Sequence, residues 1–437
     1  MDEIKQTRFI KLKPFHTHTP AAYTESVYMR WFKQLQKADA VLKRSTSAFM
    51  KMTMPEIKVA ELPEPECFKN GYDRLGFLPN HIMEFMLDTK NATHWLKYSS
   101  PLAGIGGRTI HVHIVHYQHH MGEIIKDESM NDQTQGVNMR WLKRYRAYVY
   151  KIFAWFHLIA PYVRNRDCEC SKELNVYLYM TPFKKEFPAK SSTVLGPTHS
   201  NTGFTTSCTA NLSKNGGKTH TEIVIYRHEE FFKVLLHETM HNLDLDFGHG
   251  AGDVSVDKVF PGIRHPIILS ETYVETWARL LNVAFYCYYD IYGSSGSYRS
   301  YQTAVRRCLN AERAFSLYQA QRVLKHMGLS IQQLLSTYSD SDSKSLVSKL
   351  YDEDTNVFAY YILTGLILFE ADLFVQWCKD TNHASLICAN SGRSGTAALL
   401  IFIEMILKEN ADLEQAIKAV SITIDTAATT ARMTLWQ

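Results

Sequence analysis

The sequence predicts an α+β protein in which a small mixed β-sheet leads into one buried helix and a mainly helical region follows. Residues Arg108–Tyr117 alternate between apolar and polar side chains with a period of two, which predicts a strand. Two further strands are expected at Asn175–Met180 and Thr221–Arg227, the second of which runs directly into an apolar helical segment. Beyond residue 269 the apolar spacing predicts helices almost throughout.

These patterns divide the chain into three predicted regions. A helical extension is expected over 1–105, a core of sheet and helices over 106–295, and a helical subdomain over 296–437. Helices are predicted at Tyr28–Leu42, His81–Leu87, Val137–Ile159, Glu229–Leu243, Leu269–Tyr289, Tyr298–His326, Asn356–Lys379, Thr396–Glu409 and Asp412–Val420.

The composition excludes several classes of protein. Apolar residues make up 45% of the 437 residues and charged residues 21%, which is typical of a folded soluble chain. The net charge of +4 is not concentrated in a basic block, so no nucleic-acid partner is expected. The longest apolar run, Val357–Phe369, is shorter than the roughly 20 residues that span a bilayer, which predicts a buried core helix rather than a membrane span.

The N-terminus and the cysteines bear on the compartment. The charged start of the chain lacks the apolar core of a signal peptide, so we expect an intracellular (cytoplasmic) or virion-associated protein. The eight cysteines are spread too widely for a disulfide framework, and the close pair Cys168 and Cys170 has one residue between its members where zinc ribbons have two. Reduced, mostly buried thiols are therefore predicted.

The chemistry of the chain is concentrated in Val234–Leu243, which contains the pattern His-Glu-x-x-His. His237 and His241 are four residues apart, so on a helix both imidazoles project from one face and can reach one metal ion. A catalytic zinc takes three protein ligands and keeps one position for water, and Glu238 beside the first histidine can remove a proton from that water. No proline interrupts the helix, and its flanking residues are apolar or uncharged.

This pattern, with strands before it and helices after it, resembles the zincin metallopeptidases, and in particular their gluzincin branch. The resemblance covers about 108–290 and implies a core with a substrate-pairing strand beside the cleft, for which Asn201, Thr202, Gly203, Phe204 and Thr205 stand at a suitable place. It also implies a third zinc ligand on a later helix, which Glu271 matches, while Glu275 would accept the distal N–H of a ligand imidazole. The run Tyr226–Glu238 further resembles zincins encoded by large DNA viruses.

Other assignments of the metal ligands remain open in the sequence. The aspzincin pattern would use Asp253 as third ligand, and His249 lies two residues beyond the position of the metzincin histidine. The histidines at 111, 113, 116, 119 and 120 suggest a second metal site, but alternation with Ile110, Val112 and Ile114 is more typical of a solvent-facing side of a strand.

We therefore expect a zinc metallopeptidase that holds one Zn²⁺ and hydrolyses a peptide or protein substrate. In this hypothesis the metal is held by His237, His241 and Glu271, and Glu238 is the general base. The alternative is a catalytically inactive protein of the zincin fold that keeps the helix as a scaffold. Its role would be structural or one of interaction, for example in a virion.

Overall fold

A computed structural model of the 437-residue chain describes most of it. The described residues are 22–49, 62–69, 76–102, 108–117, 139–163, 172–206, 221–248, 255–292, 296–382, 386–387, 389, 392–408, 411–421 and 430–436.

These residues form a mixed α+β protein with a small five-stranded sheet and a mostly helical remainder. The strands are β1 (Ala92–Leu102), β2 (Arg108–Tyr117), β3 (Glu173–Met180), β4 (Gly203–Thr206) and β5 (Thr221–Ile225). The α-helices are α1 (Ala22–Phe49), α2 (Glu66–Lys69), α3 (Asn80–Leu87), α4 (Met139–Ile159), α5 (Pro197–Ser200), α6 (Phe231–Asn242), α7 (Leu269–Tyr286), α8 (Tyr298–His326), α9 (Ile331–Ser336), α10 (Ser341–Leu350), α11 (Thr364–Phe369), α12 (Ala371–Thr381), α13 (Arg393–Lys408) and α14 (Ala411–Ser421). Two π-helices, π1 (Cys287–Tyr292) and π2 (Phe358–Leu363), precede α8 and α11.

The chain divides into two compact units. The sheet unit comprises Lys33–Lys184 and Thr202–Leu243, and the helical unit comprises Met1–Phe32, Lys185–Asn201 and Asp244–Gln437. The three regions expected from the sequence remain a prediction.

The sheet has the strand order β1-β2-β3-β5-β4. Its inner pairs β2/β3 and β3/β5 are parallel, and its outer pairs β1/β2 and β4/β5 are antiparallel. The three predicted strands are confirmed, whereas β1 falls in the predicted helical extension. Pairing with β2, rather than the pattern of its own residues, determines its conformation.

Both faces of β2 are covered, which corrects the prediction that its histidine face points to solvent. On the predicted solvent face His111 is half-buried, but only 6% of His113 is exposed, and His116 on the opposite face is 3% exposed. The ring of His113 stacks on Tyr177 at 4.6 Å between centroids, and burial lowers its pKa to about 4. His119 and His120 lie outside the described residues.

A close approach between helix α6 and the sheet occurs at Gly203, on strand β4. A Cβ atom at this position would lie 2.8 Å from the carbonyl oxygen of Val224 and 2.9 Å from Cγ1 of Val234. Val224 belongs to β5 and Val234 to α6, so only a glycine lets the helix and both strands meet at this distance.

The helical unit differs from the prediction in one long helix and in two short ones. The expected helix Asn356–Lys379 is divided into π2, α11 and α12, and the axis bends by 94° between α11 and α12. The bend falls at Glu370, whose backbone angles (φ −101°, ψ 38°) are not helical. Helices α9 and α10, which were not predicted, begin at the side-chain caps Ser330 and Asp340.

Among the described residues, no single helix is long and apolar enough to cross a membrane. The predicted buried run Val357–Phe369 is a core segment, since each of its residues is buried except Tyr360. The cysteines at 67, 287, 308 and 378 are free and buried, as expected for them.

Buried charges in the helical unit are neutralised by a specific network. The guanidinium of Arg279 is fully buried and donates to Glu275 Oε1 (2.9 Å), to Ser316 Oγ (2.8 Å) and to the carbonyl oxygen of Tyr360 (2.7 Å). These three bonds connect α7, α8 and π2, so the ion pair also positions the helices.

Replacing Gly203 by alanine tests the close approach of α6 to the sheet. The added methyl group forces the helix and strands apart, and we expect the free energy of unfolding to fall by about 1–3 kcal/mol. Urea unfolding measures this change. Gly76→Ala is the control, because a Cβ there meets nothing within 4 Å; equal stabilities of the two variants would contradict the prediction.

Glu353 makes the stability of the helical unit depend on pH. Its carboxylate accepts hydrogen bonds from the Tyr351 hydroxyl (2.9 Å) and the Phe358 amide (2.6 Å), and burial, with a smaller contribution from Asp352, raises its pKa to about 7. Because this folded-state pKa lies above the unfolded value of about 4.3, the folded protein binds the proton more tightly. The free energy of unfolding therefore falls as pH rises between these two values, and the contribution is lost above them.

We expect Glu353→Gln to remove this part of the pH dependence, which is about 1–3 kcal/mol for a half-buried group. Urea unfolding of wild type and variant from about pH 4.5 to pH 8 measures the difference between the two profiles. Glu84→Gln, exposed on α3, is the control. Parallel wild-type and Glu353→Gln profiles would show that the prediction is wrong.

Candidate metal centre

Helix α6 is attached to the sheet by a short, strongly bonded connection. The backbone N–H of His228 donates to Thr181 O (3.2 Å), and the Arg227 guanidinium donates to Lys184 O (2.5 Å). Glu230 then takes the left-handed conformation (φ 60°), and its carbonyl oxygen accepts the N–H of Val234 in the first turn. A non-glycine residue in this conformation is unfavourable, so the surrounding contacts determine where the helix begins.

The motif helix is buried on nearly all sides. Every residue of α6 except His241 is buried, including His237 (6% exposed) and Glu238 (8% exposed). His241 is half-buried. The helix is therefore shielded from water along nearly its whole length, and His241 is its most exposed residue.

The two histidine rings converge on one point. Their Nε2 atoms are 3.2 Å apart, with ring centroids 4.8 Å apart and planes at 65°. Two nitrogens that each lie about 2.0–2.1 Å from a tetrahedral metal ion are separated by about 3.3–3.4 Å. The observed separation of 3.2 Å is close to this value, so the two Nε2 atoms are placed where they could both bind one ion.

Helix α7 carries the two predicted carboxylates on one face. Glu271 lies in its first turn and is half-buried. Glu275 is 1% exposed and its Oε1 accepts a hydrogen bond from Arg279. The contact of Glu275 with a ligand imidazole remains a prediction. The hydrogen bond from Arg279 constrains the orientation of the Glu275 carboxylate.

The predicted ligand set is chemically suited to a metal ion. His237, His241 and Glu271 each offer one ligand atom, two imidazole nitrogens and one carboxylate oxygen, and this group could bind a metal ion. The alternative third ligands, His249 and Asp253, lie outside the described residues.

The last three residues of the segment expected to pair with substrate, Gly203, Phe204 and Thr205, lie in a strand, and their pairing with substrate remains a prediction. Residues Gly203–Thr206 form β4, which among the described strands pairs with β5 alone, and Thr202 extends this pairing because its carbonyl accepts the N–H of Tyr226 (2.9 Å). Asn201 precedes the strand, and its Oδ1 accepts the Thr355 hydroxyl (3.3 Å).

Asn242 is a residue of this region whose role the sequence did not reveal. Its side-chain amide donates to Thr205 Oγ1 (2.9 Å) and to the carbonyl oxygen of Thr206 (3.1 Å), and only 5% of the residue is exposed. It thereby joins the end of the motif helix to the edge strand. The sequence did contain one indication of this role, because Asn242 is a polar residue on a helix that was expected to be buried.

Searches of protein-family models, curated proteins and solved structures find no match to this chain.

Metal binding tests the convergence of the imidazoles. We expect the purified protein to bind one divalent metal ion, and His237→Ala and His241→Ala each to weaken binding at least tenfold, since each removes a ligand. Metal content after dialysis and competition with a chromophoric chelator measure this. His81→Ala, at an exposed position of α3, is the control; equal affinities of all four proteins would contradict the assignment.

Proposed function

We propose that this chain is a zinc-dependent metallopeptidase of the zincin type, with the ligand set of the gluzincin branch. The observation that carries the proposal is the 3.2 Å separation of the His237 and His241 Nε2 atoms on a buried helix that also bears Glu238. A sheet before this helix and a helical region after it are consistent with the proposal.

In this proposal one Zn²⁺ is held by His237, His241 and Glu271. Two nitrogen ligands and one carboxylate are typical of catalytic zinc, whereas calcium and magnesium prefer oxygen ligands alone. When bound, zinc would act as a Lewis acid that polarises a carbonyl group and lowers the pKa of water. Glu275 is proposed to orient a ligand imidazole, and the guanidinium of Arg279 fixes the carboxylate that does so.

Glu238 is proposed to move the proton. Its carboxylate removes a proton from the attacking water, and the same group then donates it to the nitrogen of the departing amine. Its place beside His237 and its 8% exposure keep bulk water from competing for the proton.

Strand β4 is proposed to bind the substrate as an extended peptide. A peptide that pairs with the edge of β4 that no described strand occupies gains backbone hydrogen bonds without regard to its own sequence. The bonds from Asn242 to β4 fix the distance between that edge and the end of the histidine helix.

The substitution Glu238→Gln separates chemistry from metal binding. The amide keeps the size of the side chain but accepts no proton, so we expect kcat on a mixed peptide substrate to fall by about 10²–10⁴-fold while zinc content is unchanged. Peptide hydrolysis, followed by mass spectrometry, and zinc content are measured on the same preparations. Glu84→Gln, exposed on α3, is the matched control and should retain full activity.

Two outcomes separate this proposal from its alternative. Wild-type protein without zinc would falsify the metal assignment. Zinc in both wild type and Glu238→Gln without hydrolysis by either would instead favour an inactive zincin-fold protein with a structural role, in which chelation lowers the melting temperature only.

A further inference from the structure

Strand β1 forms one edge of the sheet. It is 11 residues long, and among the described strands it pairs with β2 alone. In an edge strand every second residue directs its N–H and C=O groups at the neighbouring strand, and the residues between them direct these groups outwards. The hydrogen-bond pattern of the sheet therefore determines which residues of β1 face outwards.

Two hydrogen bonds in different parts of the sheet establish this pattern. The N–H of Thr109 donates to the carbonyl oxygen of Lys172 (2.8 Å), so the odd-numbered residues of β2 bond to β3 and its even-numbered residues bond to β1. The same alternation, followed across β3 and β5, requires a bond between the backbones of Tyr226 and Thr202. The N–H of Tyr226 does donate to the carbonyl oxygen of Thr202 (2.9 Å), so the pattern is consistent across the sheet.

The outer edge of β1 consists of Trp95, Lys97 and Ser99. The even-numbered residues of β2 lie opposite even-numbered residues of β1, so these three odd-numbered residues direct their N–H and C=O groups away from the sheet. Pro101, the next residue in this series, has no N–H group and ends the edge. The outer edge therefore presents three donors and three acceptors in one line.

Strand β2 holds two side chains of the outer edge in place. The indole of Trp95 lies within 16° of parallel to the ring of His113, at 5.9 Å between centroids, and Ser99 Oγ is 2.7 Å from Nδ1 of His111. Lys97 and Ser99 are exposed, and Trp95 is half-buried. An edge whose side chains are already ordered loses little entropy when a further strand pairs with it.

Lys97 gives the outer edge a positive charge. It lies directly opposite His113, and its charge, after the larger effect of burial, lowers the pKa of both His111 and His113. A second copy of this chain does not suit the edge. Antiparallel self-pairing through all three outward residues would place Lys97 opposite Lys97 of the second copy, and like charges directly opposite each other destabilise a strand pair. A strand with a carboxylate at that position is stabilised instead.

We propose that the outer edge of β1 binds an extended acidic segment of a partner protein, which joins the sheet as a sixth strand. The backbone of the segment pairs with Trp95, Lys97 and Ser99, and one of its carboxylates lies opposite Lys97. The backbone bonds are nearly independent of the segment's sequence, so the charge opposite Lys97 sets the preference. This inference does not depend on the proposed hydrolase activity, since β1 and β4 are opposite edges of the sheet.

The first test compares two labelled peptides that differ in one charge, Thr-Val-Thr-Glu-Thr-Val-Thr and the same sequence with lysine at its centre. We expect fluorescence anisotropy to show that wild type prefers the glutamate peptide by about tenfold, and that Lys97→Glu prefers the lysine peptide by a similar factor. Lys90→Glu, the same charge change in the exposed turn before β1, is the control and should keep the wild-type preference. An unchanged preference in Lys97→Glu, or no binding of either peptide to folded wild type, would overturn the proposal.

The second test locates the bound peptide. Strand addition makes the amides of Trp95, Lys97 and Ser99 hydrogen-bonded, so we expect hydrogen exchange in residues 92–102 to slow at least fivefold when the glutamate peptide is added. Exchange in β4 should not change. Slower exchange in β4, with none in β1, would mean that the peptide binds at the other edge and that the assignment to β1 is wrong.

Discussion

Helix α6 packs against the sheet with all but one of its residues buried, and this packing determines which residues the neighbouring strands can carry. The helix packs on β4 and β5, and Gly203 provides the space at one point of contact. Asn242 bonds to β4 at the other end of the helix. Between these two points lie buried His237 and half-buried His241, so the packing of the helix determines the geometry of the candidate centre.

Several charged groups that the fold buries have specific partners. Glu222, in the sheet, is 2% exposed and its carboxylate accepts the backbone N–H groups of Glu66 (2.8 Å) and Cys67 (3.1 Å). Burial raises the pKa of Glu222, and those two bonds oppose the shift. Arg279 and Glu275 neutralise each other in the helical unit. Loss of one member of such a pair leaves a buried charge, which is more costly than loss of the pair.

Much of the secondary structure could be predicted from local patterns. The bounds of β2 and α8 agree with the sequence, and α6 begins two residues after the predicted start, because Glu230 adopts a left-handed conformation that no residue pattern indicates. Strand β1 could not be predicted, since its conformation depends on pairing with β2 rather than on its own residues. The burial of the His113 side of β2 could not be predicted either, because it depends on segments distant in sequence.

In the candidate site, too, some features follow from local sequence and others depend on tertiary contacts. The spacing of His237 and His241 was sufficient to predict two imidazoles that meet, because helical geometry alone determines it. The bonds of Asn242 to β4 and of Arg279 to Glu275 and Tyr360 depend on tertiary contacts, and they could not be read from the sequence.

The π-helix π2 gives the helical unit an unusual dependence on chain length. In a π-helix the backbone bonds span five residues rather than four, so the turn holds one extra residue and its carbonyl groups are less regularly paired. Arg279 uses one such carbonyl, that of Tyr360. Loss of a single residue from Phe358–Leu363 would restore ordinary α-helical winding and rotate one side of the helix relative to the other by about 100°. A deletion in this segment would therefore displace every side chain on one side of it, whereas a substitution changes a single side chain.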